Sequence, residues 1–423
     1  MIILYVVKYN CFVWVIYGHG MNAKCLEKRY SQLDNNSMRN CTSYSKLWLL
    51  ILFIPLFGIV LLVSNVHVYK WVFVYYMSYD NDLSSYGEVI LSDLRKGLSN
   101  SKVAVVVYAD FIDSIGMKRI GLYHEDGKIH RKETSVRSED SADEAELRKY
   151  LEWVRKKWVA ENYCMVFLNH GGKLNQMCKD IKPFRNQNKN RQFDSGKWLD
   201  ASKAAKIVAD FNQQVDRRVR LLFLQQCGRA TIQNLYNFAD AAEYILASPL
   251  VVGAPNTYYT KTIALVSQDP NITGEILAGT IMREDEHYTL YTLIRNQELK
   301  RLPEKLAPVL RAFGHASVLN RPESCSPLFE HEGERFYDLK SYCYALNSAN
   351  DNIAGKELDS FFDWCEGSFI VSKAIKDPNS TVESSYSGLS VYVPSSPDAG
   401  RFYSFLPLYH QTELEHTLKL ISK

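Results

Sequence analysis

Five short runs of nearly unbroken apolar character constrain this chain more than any other feature. They read WVFVYYM (71 to 77), VAVVVYAD (103 to 110), YCMVFLN (163 to 169), VRLLFL (219 to 224) and YILAS (244 to 248). Each has strand length and lacks the alternation of a half-exposed strand, so each is expected to be covered on both faces. Helical periods separate most of them. SADEAELRKYLEWVRKKWVAE sets Ser141 and Glu144 in capping-box spacing and puts Leu147, Leu151, Val154 and Trp158 on one stripe. DASKAAKIVADFN offers Asp200 as N-cap and Ala204, Ile207, Val208 and Phe211 as a buried stripe. Strand, helix, strand in repetition predicts an α/β fold with a mostly parallel sheet and helices on both faces.

A second apolar feature precedes that pattern. Leu47 to Tyr69 contains no Lys, Arg, Asp or Glu and is long enough to cross a bilayer as a helix. The expected organisation is a cytoplasmic segment 1–46, a transmembrane helix or signal anchor 47–69 and a domain 70–423. Lys24, Lys28, Arg29, Arg39 and Lys46 precede the span, which by the positive-inside tendency places the domain outside the cytoplasm, at the cell surface or in a periplasm. Two alternatives stay open: a signal peptide beginning at Met38 and cleaved to release a secreted protein, or a buried core helix. MIILYVVKYNCFVWVIYG, with Lys8 in its middle, reads as an over-extended start.

The 423 residues carry 50 Lys and Arg against 47 Asp and Glu, spread along the chain, so no nucleic-acid partner is expected. Nine cysteines show neither a C-x-x-C pair nor a Cys/His metal spacing, and no zinc site is expected. Cys325, Cys343 and Cys365 are the candidates for disulfides outside the membrane, and the odd total leaves at least one free thiol.

Parallel sheets present functional residues past the carboxyl ends of their strands. MVFLNHGGK delivers His170, Gly171 and Gly172 after the third run, and LLFLQQCGR delivers Cys227 and Gly228 after the fourth. If those strands are neighbours, an imidazole and a thiol meet at one sheet edge, an arrangement for cysteine nucleophilic catalysis. The glycines allow close backbone approach to a ligand.

These motifs, in this order, resemble those of the clostripain-like cysteine peptidases. WVFVYYMSYDNDL is similar to the family's opening strand and loop, VFLNHGG to its histidine motif, LLFLQQCGRA to its cysteine motif, AEYILASPLVVGAPNTYY to the segment after the nucleophile, and SGLSVYVPSSPD to a strand near its C-terminus. The resemblance, which spans about residues 71 to 410, implies a caspase-like α/β/α sandwich and a cysteine endopeptidase acting on protein or peptide substrates. It implies Cys227 as nucleophile, His170 as its acid–base partner, and the backbone N–H groups of Gly171 and Cys227 as an oxyanion hole. No third member of the dyad and no required cofactor are implied. Calcium enters by resemblance only, since YDNDL, with Asp80 and Asp82, is too short to assert a metal site.

Two departures bear on specificity. The family carries an acidic residue two positions before the nucleophile, facing Arg or Lys of the substrate, where this chain has Gln225, and a methionine-containing segment after the cysteine is replaced by GRAT. Strict preference for Arg or Lys is therefore not expected. Polar uncharged or acidic side chains become admissible, and Arg229, expected at the surface, would favour the acidic ones if it turned inward. The basic stretch 173 to 198 reads as a surface loop, within which the resemblance implies Lys182 or Arg185 as candidate processing points. Two other functions fit the same residues: a catalytically silent peptide-binding or scaffolding relative, and a thiol hydrolase or transferase acting on a non-peptide acyl group.

Overall fold

The computed structural model describes residues 67–112, 116–138, 140–181, 196–323, 325–376 and 386–421, together with a short antiparallel pair, Lys8–Tyr9 with Phe12–Val13. Met1–Val66 and His67–Lys423 form separate units. The second unit contains β1 (Tyr69–Tyr79), β2 (Val103–Phe111), β3 (Lys118–Glu125), β4 (Lys128–Ser135) and β5 (Ala160–Leu168). There follow β6 (Gln176–Asp180), β7 (Lys197–Asp200), β8 (Val219–Gln225), β9 (Tyr244–Ala247) and β10 (Leu290–Arg295). Last come β11 (Phe329–His331), β12 (Glu334–Asp338), β13 (Ile370–Ile375) and β14 (Ser390–Tyr392).

All five apolar runs are strands, and they lie side by side. A nine-stranded sheet has the order β13-β10-β9-β8-β5-β1-β2-β3-β4, in which β9, β8, β5, β1 and β2 are mutually parallel. Antiparallel strands extend it on each side. Both faces are covered because both faces of the runs are apolar. In β1, Trp71, Phe73, Tyr75, Met77 and Tyr79 enter one core with α1 (Gly87–Gly97), while Val72, Val74 and Tyr76 enter the other with α2 (Glu144–Lys157) and α3 (Ala201–Gln214). The first core also takes α4 (Tyr259–Gln268) and α5 (Gly274–Glu284). Each large side chain so buried stabilises the fold by roughly 1.5–3 kcal/mol relative to exposure.

The register levels the strand ends that matter. Leu168 of β5 pairs with Gln225 of β8 and with Met77 of β1, so the loops after these three strands open at one edge. The helix caps divide. Asp200 caps α3 through the N–H of Lys203, as expected. In α2 the cap is Asp143, which accepts from Ala145 N, in place of the expected Ser141. Ser141 is committed elsewhere: its N–H and hydroxyl both reach Asp180 Oδ2.

Other expectations are corrected. The stretch 173–198 is not all loop, because β6 and β7 pair as the arms of a hairpin and bury Met177, Cys178 and Leu199. Lys182 and Arg185 lie outside the described residues. So does the candidate span as far as residue 66, and its last residue, Tyr69, opens β1 and donates its N–H to Val159 O. A membrane helix reaching Tyr69 is thus excluded, and among the described residues no helix is long and apolar enough to cross a membrane. Cys325, Cys343 and Cys365 are free thiols rather than disulfide partners. The C-terminal strand β14 joins β12 and β11 in a separate three-stranded sheet, and its Ser390 N–H meets Ala230 O just beyond Cys227.

Candidate active site

The chain leaving β5 carries Asn169, His170, Gly171 and Gly172. Asn169 is buried and its amide holds the carbonyls of Ser78 and Lys179, while Asn81 Nδ2 donates to Asn169 Oδ1 at 3.1 Å. These bonds tie the loop after β1 to the end of β5. They place Asp82 where its Oδ1 lies 2.8 Å from His170 Nε2, leaving Nδ1 as the ring atom open to a second partner. The imidazole is about one-third exposed and Asp82 is mostly exposed, at 35% and 77%.

Next to it, β8 ends at Gln225 and the chain runs on through Gln226, Cys227 and Gly228. The expected neighbour relation holds, and His170 and Cys227 line one cleft of about 210 Å³ with Tyr79, Gln225, Val252 and Asn256. Gly228 turns the chain with φ +68°, and a Cβ there would lie 2.6 Å from the Phe329 ring. Gly171 has a different reason to be glycine: a Cβ would stand 2.0 Å from Cys227 O. The two loops are therefore in backbone contact, which any side chain at residue 171 would break.

Burial raises the Cys227 thiol above the ordinary cysteine range, and backbone hydrogen bonds from Val252, Cys227 and Gly171, with the charge of Arg229, act in the opposite direction. Val252 N lies 3.4 Å from Sγ. The sulfur thus rests as a thiol in a nest of amides, suited to accept negative charge once a base takes the proton.

Arg229 is not at the surface. It is 1% exposed and turns inward, yet away from the cleft floor: it donates to the carbonyls of Cys227 (3.1 Å), Gly172 (2.8 Å), Lys173 (3.2 Å), Leu174 (3.4 Å) and Gln176 (2.7 Å). Desolvation pushes its pKa down to about 10, so it stays charged at neutral pH. One guanidinium therefore fastens the histidine loop to the cysteine loop.

Gln225 is buried at the cleft floor. Its Nε2 donates to Asn256 Oδ1 and to Tyr259 OH (2.9 Å), and its Oε1 accepts from Tyr258 OH at 2.6 Å. Asn256 Nδ2 donates to Asp285 Oδ2 at 2.7 Å and to Tyr291 OH at 3.3 Å. Asp285 is fully buried and also accepts from Tyr291 OH, Thr257 N and His287 N. Gln226 points the other way, to Cys178 Sγ.

The residues Asp80 and Asp82 of YDNDL part company. Asp80 joins Asp110 and Asp180 in a buried group whose carboxylate oxygens lie within 4.8 Å of one another, an all-oxygen donor set of the kind hard cations such as calcium take. Asn256 and Asp285 escape sequence reasoning as site residues, and Asp82 and Arg229 enter it only in other roles, the one beside a calcium site and the other as a partner for acidic substrates. Asn256 and Asp82 stood within quoted motifs, but their partners are distant in sequence, and Asp285 carries no local signal.

A model of the clostripain family matches residues 75–300 of this chain. Among solved structures, an inactive zymogen C11 protease from Parabacteroides distasonis is similar with a TM-score of 0.60 at 18% identity, over 82% of this chain and 99% of that one. A secreted C11 cysteine protease from Bacteroides thetaiotaomicron, in complex with an irreversible peptide inhibitor, has a TM-score of 0.59 at 15% identity, over 81% and 99%. Another structure of a secreted C11 cysteine protease from that organism, iotapain, gives 0.61 at 14%, over 82% and 99%. At these identities the likeness is one of fold. No curated protein matches.

Proposed function

The chain belongs to the clostripain family of cysteine peptidases, and from that premise we propose that it is an endopeptidase in which Cys227 and His170 form the catalytic dyad. The observation that carries the proposal is the meeting of the two side chains in one cleft at the ends of adjacent parallel strands. His170, its Nε2 engaged by Asp82, takes the thiol proton at Nδ1 as Cys227 attacks the scissile carbonyl, then gives it to the leaving amine. The N–H groups of Gly171 and Cys227, already directed at the sulfur, receive the negative oxygen that forms beside it. A calcium ion, if bound, would be held by Asp80, Asp110 and Asp180, and would supply charge neutralisation in the core below the Asp82 loop.

The pocket for the residue before the cut is floored by Gln225. An amide there leaves an incoming cation desolvated without a charged partner, so strict Arg or Lys preference is absent. Residues 47–66 anchor the protein in a membrane with the peptidase unit outside the cytoplasm, a reading supported by their uncharged run and by the basic residues before it. Hydrolysis of a mixed peptide library by the native protein, abolished in Cys227→Ala, tests the activity; equal cleavage by Cys227→Ala refutes it. Resistance to carbonate extraction tests the anchor, and full release from membranes refutes it.

A further inference from the structure

Sequence alone left open what an amide floor admits, because a free amide both donates and accepts. The structure restricts it. Asp285 is a carboxylate and can only accept, so the Asn256 Nδ2 group must face it, and Asn256 Oδ1 must face away. That oxygen in turn requires the Nε2 group of Gln225. Both N–H bonds of Asn256 are then consumed by Asp285 and Tyr291, and both N–H bonds of Gln225 by Asn256 and Tyr259. Each carbonyl oxygen accepts one bond, from Gln225 to Asn256 Oδ1 and from Tyr258 to Gln225 Oε1, and keeps a second lone pair. Above the floor, the N–H of Gly253 is committed to His287 O at 2.7 Å and that of Val252 to the sulfur.

We infer that the two floor amides have acceptor capacity only, that Asp285 imposes this polarity as a positioning residue, and that the residue before the cut is an uncharged donor such as a primary carboxamide. The inference rests on the proposed peptidase reading and on Gln225 flooring the pocket. A carboxylate set against these amides meets two carbonyl oxygens with the Asp285 charge behind them, so it is disfavoured relative to a carboxamide. This narrows the earlier expectation that acidic side chains are admissible. Arg229, the residue that would have favoured them, faces backbone carbonyls instead.

The test uses the full-length protein and peptides identical except for Gln, Glu or Met before the cut. These three have similar length, and only Gln carries donors at neutral pH. Expected are kcat/KM values for Gln about tenfold or more above Met and about a hundredfold or more above Glu. Asp285→Asn, which lets Asn256 turn over, is expected to lower the Gln-to-Glu ratio about tenfold or more while Cys227 is alkylated by iodoacetamide at an unchanged rate. Glu cut as well as Gln by the native protein overturns the inference and leaves the peptidase reading standing. An unchanged ratio in folded Asp285→Asn overturns the role of Asp285, and should that variant not fold, the native comparison of the three peptides still decides the polarity of the floor. If no peptide is cut by the native protein, the peptidase reading falls and this inference with it.

Discussion

The floor and the rim of the cleft are built by opposite physics. On the floor, Gln225, Asn256 and Asp285 are buried, their amide protons all engaged and their geometry fixed by a carboxylate that cannot donate. On the rim, Asp82 holds His170 by one bond in reach of water. A hydrogen bond removed from the floor leaves a desolvated polar group behind, whereas water replaces one removed from the rim. On the proposed reading, selectivity is thus placed where substitution is severe, and orientation of the base where it is mild.

The largest effect expected at this site comes from the reacting groups themselves, which set the scale for both regions. Cys227→Ala and His170→Ala should each lower kcat by on the order of 10³ or more with the circular dichroism spectrum unchanged. Cys164→Ala, far from the cleft, should keep nearly full activity. In His170→Ala, iodoacetamide alkylation of Cys227 should titrate above the ordinary cysteine range, because burial raises the thiol and no imidazole remains to take its proton. Titration at or below that range would show that the amides alone suffice.

Arg229→Ala extends the buried side of the contrast. Five carbonyls lose their donor, so unfolding in urea should show a loss of about 3 kcal/mol or more, and activity should fall with it. A loss below about 1 kcal/mol would mean that water takes the place of the guanidinium and that the two loops are joined by other means.

A smaller effect is expected for Gln225→Asp. It should raise kcat/KM for Arg and Lys substrates over neutral ones by about tenfold, equivalent to about 1.4 kcal/mol. If the native protein already requires Arg or Lys, the charge of Asp285 acts through the amide layer, and the floor is less insulating than its hydrogen bonds imply. Smallest is Asp82→Asn, for which the worth of exposed ion pairs, about 0.2–1 kcal/mol, sets a decrease in kcat of less than about fivefold. A hundredfold loss there would erase the distinction between rim and floor.

Much of this architecture was legible in sequence because it rests on local pattern. Apolar runs such as VRLLFL reported strands covered on both faces, and the residues following two of them reported His170 and Cys227. Strands β3 and β4 gave no such signal, since strands with few buried positions, such as KIHRKETS, look like loop. Ser141 matched the capping-box spacing, yet a tertiary bond to Asp180 outbid the local one. Arg229 reads as exposed in sequence because charge usually is. Only the five carbonyls gathered by the fold, four of them from the segment between Gly172 and Gln176, make its burial tolerable. The partnership of Gln225 with Asp285 spans residues that no local pattern links.

An open sheet has two borders, and β4 forms one of them. Its outward backbone groups are a template on which another extended chain could align, a hazard for a molecule expected to meet unfolded peptides. The strand that stands there reads Lys128, Ile129, His130, Arg131, Lys132, Glu133, Thr134 and Ser135, mostly exposed, with Arg131 clasped by Glu88 and Glu133. A second copy pairing along it would crowd cations against cations and break those clasps. Pairing of a further strand along this border is thereby disfavoured.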